Sequence, residues 1–464
     1  MTVATREPET EPEEGEENEE GEESHVRKHG WKRLSVTPSL SEVNRSIHVP
    51  GRKHAWRRAL AFAGPGYLIA VGYMDPGNWA TDIAAGSVYN YSLLSVVLIA
   101  NFIAIFLQAL SAKLGIVAER DLAQACRDAY SRPVSIGLWL SAEIGIVACD
   151  IAEVLGSAIA LNLLFHLPLV WGVALTALDV LIVLALQHKG FRLIEAFVIT
   201  LILTMMVIFG LEIMYSRPDW GATMHGFIPT AQIVTDPKML YIALGILGAT
   251  VMPHNLYLHS SIVQTRRHGR SVADLRDALR YAYTDSTVAL TLALFVNAAI
   301  LIVAAATFYR TGHHEVGEIQ DAYKLLSPLL GVAVATPLFA VALLASGQNS
   351  TLTGTLAGQI VLEGFTEFRI PPWMRRMISR SLAIVPSIFV VAWYGNKGMG
   401  ALLLFSQVIL SAQLSFAVIP LIQFTSDRSK MGEFVNGPIT RWIGWGMAAI
   451  IAGLNAYLIF TAMR

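Results

Sequence analysis

The chain has 464 residues, of which 54% are hydrophobic and 15% charged, and its mean hydropathy is +0.51. This composition is too apolar for a soluble protein of this size and predicts a polytopic membrane protein. The net charge of -1 hides an asymmetry, since eleven glutamates lie between Glu7 and Glu23. Outside residues 1–24 the chain is basic by about nine charges. The two cysteines, Cys126 and Cys149, form no visible disulfide framework and receive no role.

The first 58 residues contain no apolar segment and divide into two parts. Residues 1–24 are rich in Glu, Gly, Pro and Thr, which predicts a disordered acidic tail. Such a tail either solvates the chain without a specific role or collects cations. Residues 25–58 form a basic lead-in that we expect at the cytoplasmic surface. No cleavable signal peptide is apparent, because the first apolar run starts near Leu60.

The remaining residues, 59–464, read as a membrane domain of about eleven apolar segments. Each is close to the roughly 20 residues needed to cross the hydrocarbon core. The predicted spans are 59–85, 92–116, 134–161, 168–187, 193–215, 239–264, 284–309, 331–360, 378–395, 399–424 and 439–462. The ninth span, 378–395, is the weakest of these predictions, because it is short and arginines precede it.

The distribution of positive charge between the spans sets the orientation. Every second connection is basic, and cytoplasmic loops carry the excess of Lys and Arg. These basic residues are Lys113, Arg120, Arg127, Arg132, Lys189, Arg192, Arg266, Arg267, Arg270, Arg276, Arg280, Arg369, Arg375, Arg376, Arg428, Lys430 and Arg441. The opposite connections hold only Arg217, Lys238, Arg310, Lys324 and Lys397. The pattern predicts a multi-pass protein of the cell (inner) membrane, with a cytoplasmic N-terminus and Arg464 outside.

Two short polar motifs interrupt the first and sixth spans. They are Asp75-Pro76-Gly77-Asn78 and Met252-Pro253-His254-Asn255. Proline removes a backbone donor and clashes with the preceding turn, so each motif predicts a broken helix. The breaks fall in the first span of two five-span halves, about 59–215 and 239–424. An odd number of spans per half inverts the second half, which is typical of transporters built from inverted repeats.

The two breaks together indicate a cation site. Broken helices free backbone carbonyls, and irregular backbone at this depth is tolerated where it is buried or lines a cavity. Asp75 offers a carboxylate, Asn78 an amide oxygen and Met252 a thioether, while carbonyls near Gly72 and Ala249 are further candidates. A thioether is a soft ligand that favours transition metals over Mg²⁺ and Ca²⁺.

Each of these side chains also has a plainer interpretation. Met252 could fill a gap in the core, as isolated methionines usually do. Asp75 could cap the helix beside Pro76. Asn78 could cap the second half-helix, or could cap it and bind a cation as well.

At these residues the chain resembles the Nramp family of proton-coupled divalent-metal transporters, close to its bacterial manganese-transport branch. The resemblance covers about residues 55–460. It rests on Gly64-Pro65-Gly66-Tyr67, Asp75 to Asn78, Leu247-Gly248-Ala249-Thr250-Val251-Met252-Pro253-His254, Thr353-Gly354-Thr355-Leu356-Ala357-Gly358-Gln359 and Ser406-Gln407.

The resemblance implies a LeuT-like fold, with a 5+5 inverted repeat, broken first and sixth helices and an additional eleventh helix. It also implies alternating access. The implied metal ligands are Asp75, Asn78, Met252 and the Ala249 carbonyl, with Gln407 and the carbonyl near Gly72 joining in some states. The long acidic tail is not a feature of the family.

The third span carries three acids, Glu143, Asp150 and Glu153, whose spacings of seven and three residues place them on one helical face. Acids in a membrane helix are typical of a proton or ion route. His254, two residues after Met252, titrates near neutral pH. The resemblance implies that these acids and His254, together with Asp75, form a proton pathway. Static salt bridges that orient helices are the alternative.

Three arginines at the start of the ninth span, Arg375, Arg376 and Arg380, are candidate partners for the acids. The sequence leaves open which of them is the inner partner. His259 and Glu212 fit the pathway less well. We interpret His259 as a satisfied structural histidine and Glu212 as a helix-end carboxylate.

These observations predict a secondary transporter that imports Mn²⁺, with Fe²⁺, Co²⁺ and Cd²⁺, by proton symport. Its predicted partners are these metal ions, protons and the lipid bilayer, and we expect a monomer without a cofactor. A sodium-coupled amino-acid transporter of the same fold, a signalling protein with a transporter-like membrane domain and a channel remain alternatives. An enzyme is disfavoured, since no nucleophile–base pair or phosphate loop is visible. No nucleic-acid site is readable either.

Overall fold

The computed structural model describes residues 31–33, 38–50, 55–178, 191–314, 316, 318–394 and 398–462. The predicted acidic tail 1–24 and Arg464 lie outside the described residues, and the basic lead-in 25–58 lies inside them only in part. The described residues are overwhelmingly helical, and their strands are two short pieces, β1 (Ile47–His48) and β2 (Arg266–Arg267). The all-α class is therefore as predicted.

The first half of the chain forms nine helices within the described residues. They are α1 (Ala55–Phe62), α2 (Pro65–Gly72), α3 (Pro76–Tyr89), α4 (Leu94–Ala118), α5 (Leu122–Ala129), α6 (Arg132–Phe165), α7 (Leu169–Leu175), α8 (Phe191–Ser216) and α9 (Trp220–Gly226). The part of the predicted fourth span that follows residue 178 lies outside the described residues.

The second half adds the remaining described helices. They are α10 (Gln232–Thr235), α11 (Pro237–Thr250), α12 (Pro253–Ile262), α13 (Val272–Thr307), α14 (Ile319–Leu330), α15 (Ala335–Thr366), α16 (Pro372–Tyr394), α17 (Met399–Thr425), α18 (Arg428–Met431) and α19 (Pro438–Ala462).

Eight described helices are long and apolar enough to cross a membrane, counting α11 and α12 as one. The other three predicted spans correspond to the divided run α1–α3, to α7 and to α15. Three boundaries differ from the prediction by six residues or more, and the first is the end of α15, at Thr366 rather than 360. Helix α13 begins at Val272 rather than 284, because Ser271 caps it and its first turns are polar. Helix α16 begins at Pro372 rather than 378, so its arginines lie within the helix.

Both predicted helix breaks are present. Helix α2 ends at Gly72 and α3 begins at Pro76, with Asp75 in an extended conformation between them. Helix α11 ends at Thr250 and α12 begins at Pro253, with Val251 and Met252 non-helical. In each case proline occupies the first position of the second half-helix, where its missing N–H costs nothing.

An N-terminal strap, defined as residues 31–33 and 38–50, lies across the end of the bundle that bears the basic connections. Strand β1 pairs in parallel with β2, with Ile47 opposite Arg266. The Leu40 N–H donates to Glu363 Oε2 at the end of α15 over 3.0 Å. The strap therefore ties together connections that are far apart in the sequence.

Trp31 anchors the beginning of this strap. Its ring lies between two cations, with the Arg120 guanidinium 4.8 Å and the Lys430 ammonium 5.2 Å from the ring centroid. Its edge also contacts Phe424 of α17. Such cation–π contacts stabilise this buried indole beside two charged side chains.

Candidate metal-binding site

The two helix breaks meet in the interior. Asn78 Nδ2 donates to the Ala249 carbonyl oxygen over 3.0 Å and to Asp75 Oδ1 over 2.8 Å. The three residues are fully buried, with exposures of 0 to 1%. The structure thus brings together a carboxylate, an amide and a carbonyl that the sequence separates by 171 residues.

Asp75 caps α3, as the plainer interpretation expected. Its Oδ1 accepts from the Asn78 N–H over 2.8 Å. Its other oxygen, Oδ2, has no partner among the described residues. A buried carboxylate oxygen without a partner is costly unless a proton, a water or a cation completes it. The capping role therefore leaves one oxygen for a ligand.

Asn78 is held in turn by a residue that the sequence analysis missed. Asn297 of α13 donates from Nδ2 to Asn78 Oδ1 over 3.3 Å and to the Tyr73 carbonyl over 2.8 Å. Consequently the Asn78 nitrogen, not its oxygen, faces Asp75 and Ala249. The Asn78 amide group must rotate by half a turn about its side-chain bond before its oxygen can face a cation between Asp75 and Ala249. The available signal was a lone buried asparagine in the apolar seventh span.

Met252 lies beside the first break. Asn255 Nδ2 contacts the Met252 sulphur at 3.7 Å and donates to the Ile69 carbonyl over 3.3 Å. A Cβ atom placed on Gly72 would lie 3.3 Å from this sulphur and 2.4 Å from Asn255 Nδ2. Because Gly72 has no side chain, the thioether can approach the backbone of the first half-helix. The Gly72 carbonyl itself accepts the Asp75 N–H over 3.2 Å, so a cation would have to share it.

Gln407 of α17 lies against the same break. A Cβ atom on Gly77 would lie 2.0 Å from Gln407 Nε2. This nitrogen donates to Ser406 Oγ over 2.9 Å, whereas Gln407 Oε1 is buried without a partner among the described residues. The resemblance implied that this side chain joins the ligands in some states, and its position is compatible with that role.

The donor set is unusual for a resident structural metal. Among the described residues, no three His, Cys, Asp or Glu side chains form a group that could hold a metal ion. The candidate site instead combines one carboxylate with amide, carbonyl and thioether donors. A single negative charge and neutral ligands suit an ion that must leave again.

The acids of α6 form ion pairs with the arginines of α16. Arg376 contacts Asp150 Oδ1 at 2.5 Å and Glu153 Oε2 at 2.8 Å, and all three side chains are buried. Arg380 lies 3.2 Å from Glu153 Oε2. Arg376, supported by Arg380, is therefore the inner arginine that the sequence left open.

Arg375 pairs with Glu143 instead, at 2.9 Å from Oε2. The Glu143 side chain is 25% exposed, so this pair is the outermost of the three. The acids follow one stripe of α6 as predicted. These pairs are also what the salt-bridge alternative predicts.

Cys149 connects the central site with these ion pairs, although the sequence gave it no role. Its sulphur lies 3.8 Å from His254 Nε2 and 3.6 Å from Glu153 Oε1. The other ring nitrogen, His254 Nδ1, is buried without a partner among the described residues. His259 is bonded through Nδ1 to Gln108 Oε1 over 3.0 Å, but its Nε2 is buried without a partner among the described residues, so the predicted satisfied histidine is satisfied at one nitrogen only.

Comparison with known proteins identifies the family. The sequence profile of Nramp, described as natural resistance-associated macrophage protein-like, matches residues 66–461. The chain belongs to the Nramp family. A protein of Listeria innocua called divalent metal cation transporter MntH is 61% identical over 433 residues, covering 93% of this chain and 97% of its own. A protein of the same name from Nostoc sp. is 59% identical over 426 residues, covering 92% and 96%.

Solved structures extend this Nramp assignment to the fold. The manganese transporter of Eremococcus coleocola matches with a TM-score of 0.84 and 41% identity over 90% of each chain. MhsT, solved in complex with L-phenylalanine, matches with a TM-score of 0.57 and 13% identity over 86% of this chain and 98% of its own. The second likeness concerns the fold alone. The predicted LeuT-like fold is confirmed.

Proposed function

We propose that this protein imports Mn²⁺, and with it Fe²⁺, Co²⁺ and Cd²⁺, by proton symport with alternating access. The names of its Nramp relatives, divalent metal cation transporter and manganese transporter, support the metal substrate. The observation that carries the proposal is the contact of Asp75, Asn78 and the Ala249 carbonyl across two broken helices. Met252 adds a sulphur beside them.

This donor set favours transition metals over the abundant hard cations. Ca²⁺ takes six to eight oxygen ligands, and Mg²⁺ keeps several waters in a strict octahedron. The Met252 thioether offers neither ion a good ligand, whereas Mn²⁺, Fe²⁺, Co²⁺ and Cd²⁺ tolerate or prefer it. Selectivity would therefore come from the type of ligand as well as from the size of the site.

Proton coupling would follow from the competition between a metal and a proton for Asp75. A bound divalent cation stabilises the ionised carboxylate, so Asp75 gives up its proton as the metal arrives. Cys149 and His254 lie between this site and Glu153. From there the proton would follow Asp150 and Glu143 toward the cytoplasm, while the half-helices rock around the site.

The alternatives have less support. A sodium-coupled amino-acid transporter binds a substrate carboxylate at half-helix N-termini, where the buried Asp75 would repel it. The relatives above are named transporters, which disfavours a signalling protein or an enzyme. A buried, closely bonded set of ligands suits a saturable carrier better than a channel. The cell membrane location, cytoplasmic N-terminus and monomeric state remain predictions from the sequence.

The test is Mn²⁺ uptake into proteoliposomes at two pH gradients, with internal pH followed by a dye. We expect saturable uptake accompanied by acidification and insensitive to excess Ca²⁺. Asp75→Ala should abolish uptake. Met252→Ala should retain Mn²⁺ uptake in part but admit Ca²⁺ as a competitor. If both variants keep wild-type uptake and selectivity, the site is wrong, and uptake without acidification would reject the symport.

A further inference from the structure

Glu212 is the first of two buried acids that the mechanism above does not use. It lies among the buried residues of α8, which otherwise are, within the described side chains, Ile194, Glu195, Val198, Ile202, Met205, Ile208, Phe209 and Ser216. The sequence suggested a helix-end carboxylate, and Glu212 does lie four residues before the end of α8 at Ser216. The side chain is fully buried, and neither carboxylate oxygen has a partner among the described residues.

Asp82 is the second such acid. It lies on α3, seven residues and about two turns beyond Asp75. It is 1% exposed, and its Oδ2 has no partner in the described part of the chain. The charged group within electrostatic reach of Asp82 is the Asp75 carboxyl, whereas no charged group of the described residues acts on Glu212.

An aromatic contact relates the two acids in space. The rings of Trp79 on α3 and Phe209 on α8 meet edge to face, with centroids 4.9 Å apart. Asp82 and Glu212 each lie three residues, or nearly one turn, further along the same helix. Because the first and fifth spans cross the membrane in the same direction, both acids lie on the outer side of this contact. Trp79 Nε1 also lacks a partner among the described residues.

The chemistry of these acids excludes a structural role as carboxylates. An ionised carboxylate taken out of water without a partner costs several kcal/mol, and burial replaces its charge by a bound proton. No ion pair to either acid occurs among the described residues. A metal ion would demand several ligands at short distance, and none converge here. A protonated carboxyl group whose hydrogen bonds are completed by water accounts for the burial of both acids and for their oxygens without partners.

We propose that Glu212 and Asp82 form the outer leg of the proton path and deliver the co-transported proton from the outside to Asp75. In each step the O–H bond of one carboxyl group breaks, and the proton passes through water to the next carboxylate. The donor is left ionised until external water protonates it again. This inference rests on the proposed proton symport and adds the entry side, which the acids of α6 do not supply.

The test compares Glu212→Gln and Asp82→Asn with wild type in proteoliposomes. Both substitutions keep the size of the side chain and remove its exchangeable acid proton. We expect metal-driven acidification to slow about tenfold or more in each variant. Mn²⁺ affinity, measured by calorimetry on purified protein, should change less than twofold. Asp321→Asn, which makes the same change at an exposed acid on the same side, should behave as wild type.

A second measurement keeps the inference open to refutation if a variant folds poorly. Difference infrared spectra of wild type should show the C=O stretch of a protonated carboxyl group that disappears in Glu212→Gln. Glu212→Asp, which retains an acid, should restore part of the acidification. Unchanged acidification in both variants, or no such infrared band, would overturn the inference. If wild type itself takes up metal without protons, the proposed symport fails instead.

Discussion

The Asn78 side chain donates to the Ala249 carbonyl oxygen over 3.0 Å, and this bond joins the two broken helices at their breaks. One half of the chain supplies the amide and the other half supplies the carbonyl. The Asn78 amide and the Ala249 carbonyl can form this hydrogen bond only if both helix breaks lie at the same depth. The bond also occupies the place that a cation would take between the two ligands, so a metal must displace it.

Replacing Asn78 by alanine should therefore weaken metal binding without unfolding the protein. The variant loses one candidate ligand and the bond to Ala249, and we expect the Mn²⁺ dissociation constant to rise about tenfold or more, equivalent to about 1.4 kcal/mol. Calorimetric titration of purified protein measures this directly. Asn162→Ala removes an amide whose hydrogen bond within the described part of the chain is to the nearby Leu167 carbonyl, and serves as the control. Equal affinities in both variants would exclude Asn78 as a ligand.

The ion pairs of α16 should differ in their contribution to stability. Arg376→Met leaves Asp150 and Glu153 buried with less compensation, and removal of one partner from such a group costs about 3–5 kcal/mol. Arg375→Met breaks a pair whose acid is partly exposed, which should cost about 1 kcal/mol or less. Thermal unfolding in detergent should rank the variants in this order. The reverse order would show that Arg375 is the inner arginine.

Two glycines provide a matched test of helix packing. A Cβ atom on Gly248 of α11 would lie 2.0 Å from the Gln407 backbone oxygen and 2.6 Å from the Ser411 nitrogen. Gly248→Ala should force α11 and α17 apart at a cost of about 1–3 kcal/mol and should reduce Mn²⁺ uptake. Gly210 has no atom within 4 Å of the same position. Gly210→Ala should be neutral or slightly stabilising in thermal unfolding, and a loss of stability equal to that of Gly248→Ala would refute the packing argument.

Asp121, which caps the short helix α5 outside the membrane spans, should make stability depend on pH. Burial raises its pKa from the usual 3.8 to about 6, despite the hydrogen bond from the Gln124 N–H and the nearby charge of Arg127. Between these values the folded state holds a proton that the unfolded state has lost. The free energy of unfolding should therefore fall as pH rises from about 4 to 6, by at most about 3 kcal/mol.

Asp121→Asn keeps an N-cap side chain but cannot ionise. Its unfolding temperature should vary less with pH than that of wild type, and the two proteins should differ most above pH 6. Thermal unfolding in detergent across pH 4 to 7 provides the comparison. Parallel curves for the two proteins would show that Asp121 does not cause the dependence.

The sequence was sufficient for the architecture because the signals there are strong and local. Long apolar runs and alternating basic connections predict the spans, and proline within Asp75 to Asn78 and Met252 to Asn255 predicts the breaks. The half-helix geometry lets one carboxylate cap a helix and keep its second oxygen without a partner among the described residues, so the two interpretations of Asp75 are compatible. Sequence reasoning also predicted that the acids of α6 share one face.

What the sequence could not predict are relations between distant side chains. The choice of Arg376 as inner partner depends on the rotation of α16 relative to α6. The contact of Asn297 with Asn78 depends on the packing of α13 against the first break, and isolated asparagines in apolar helices have many explanations. The sequence placed Glu212 at a helix end because few residues separate it from the end of the span. It could not show that the face of α8 that carries Glu212 is buried.

The N-terminal strap has a consequence for the order in which the molecule is completed during synthesis. Residues 31–50 leave the ribosome before any span, yet Leu40 bonds Glu363, 323 residues later, and Trp31 rests on Lys430. The strap therefore cannot form these contacts until nearly the whole chain has been synthesised. A protein truncated before α17 would lack Phe424 and Lys430, so Trp31 would lose its contacts with both side chains. Docking of the strap therefore requires that the helices it contacts have been synthesised and packed together.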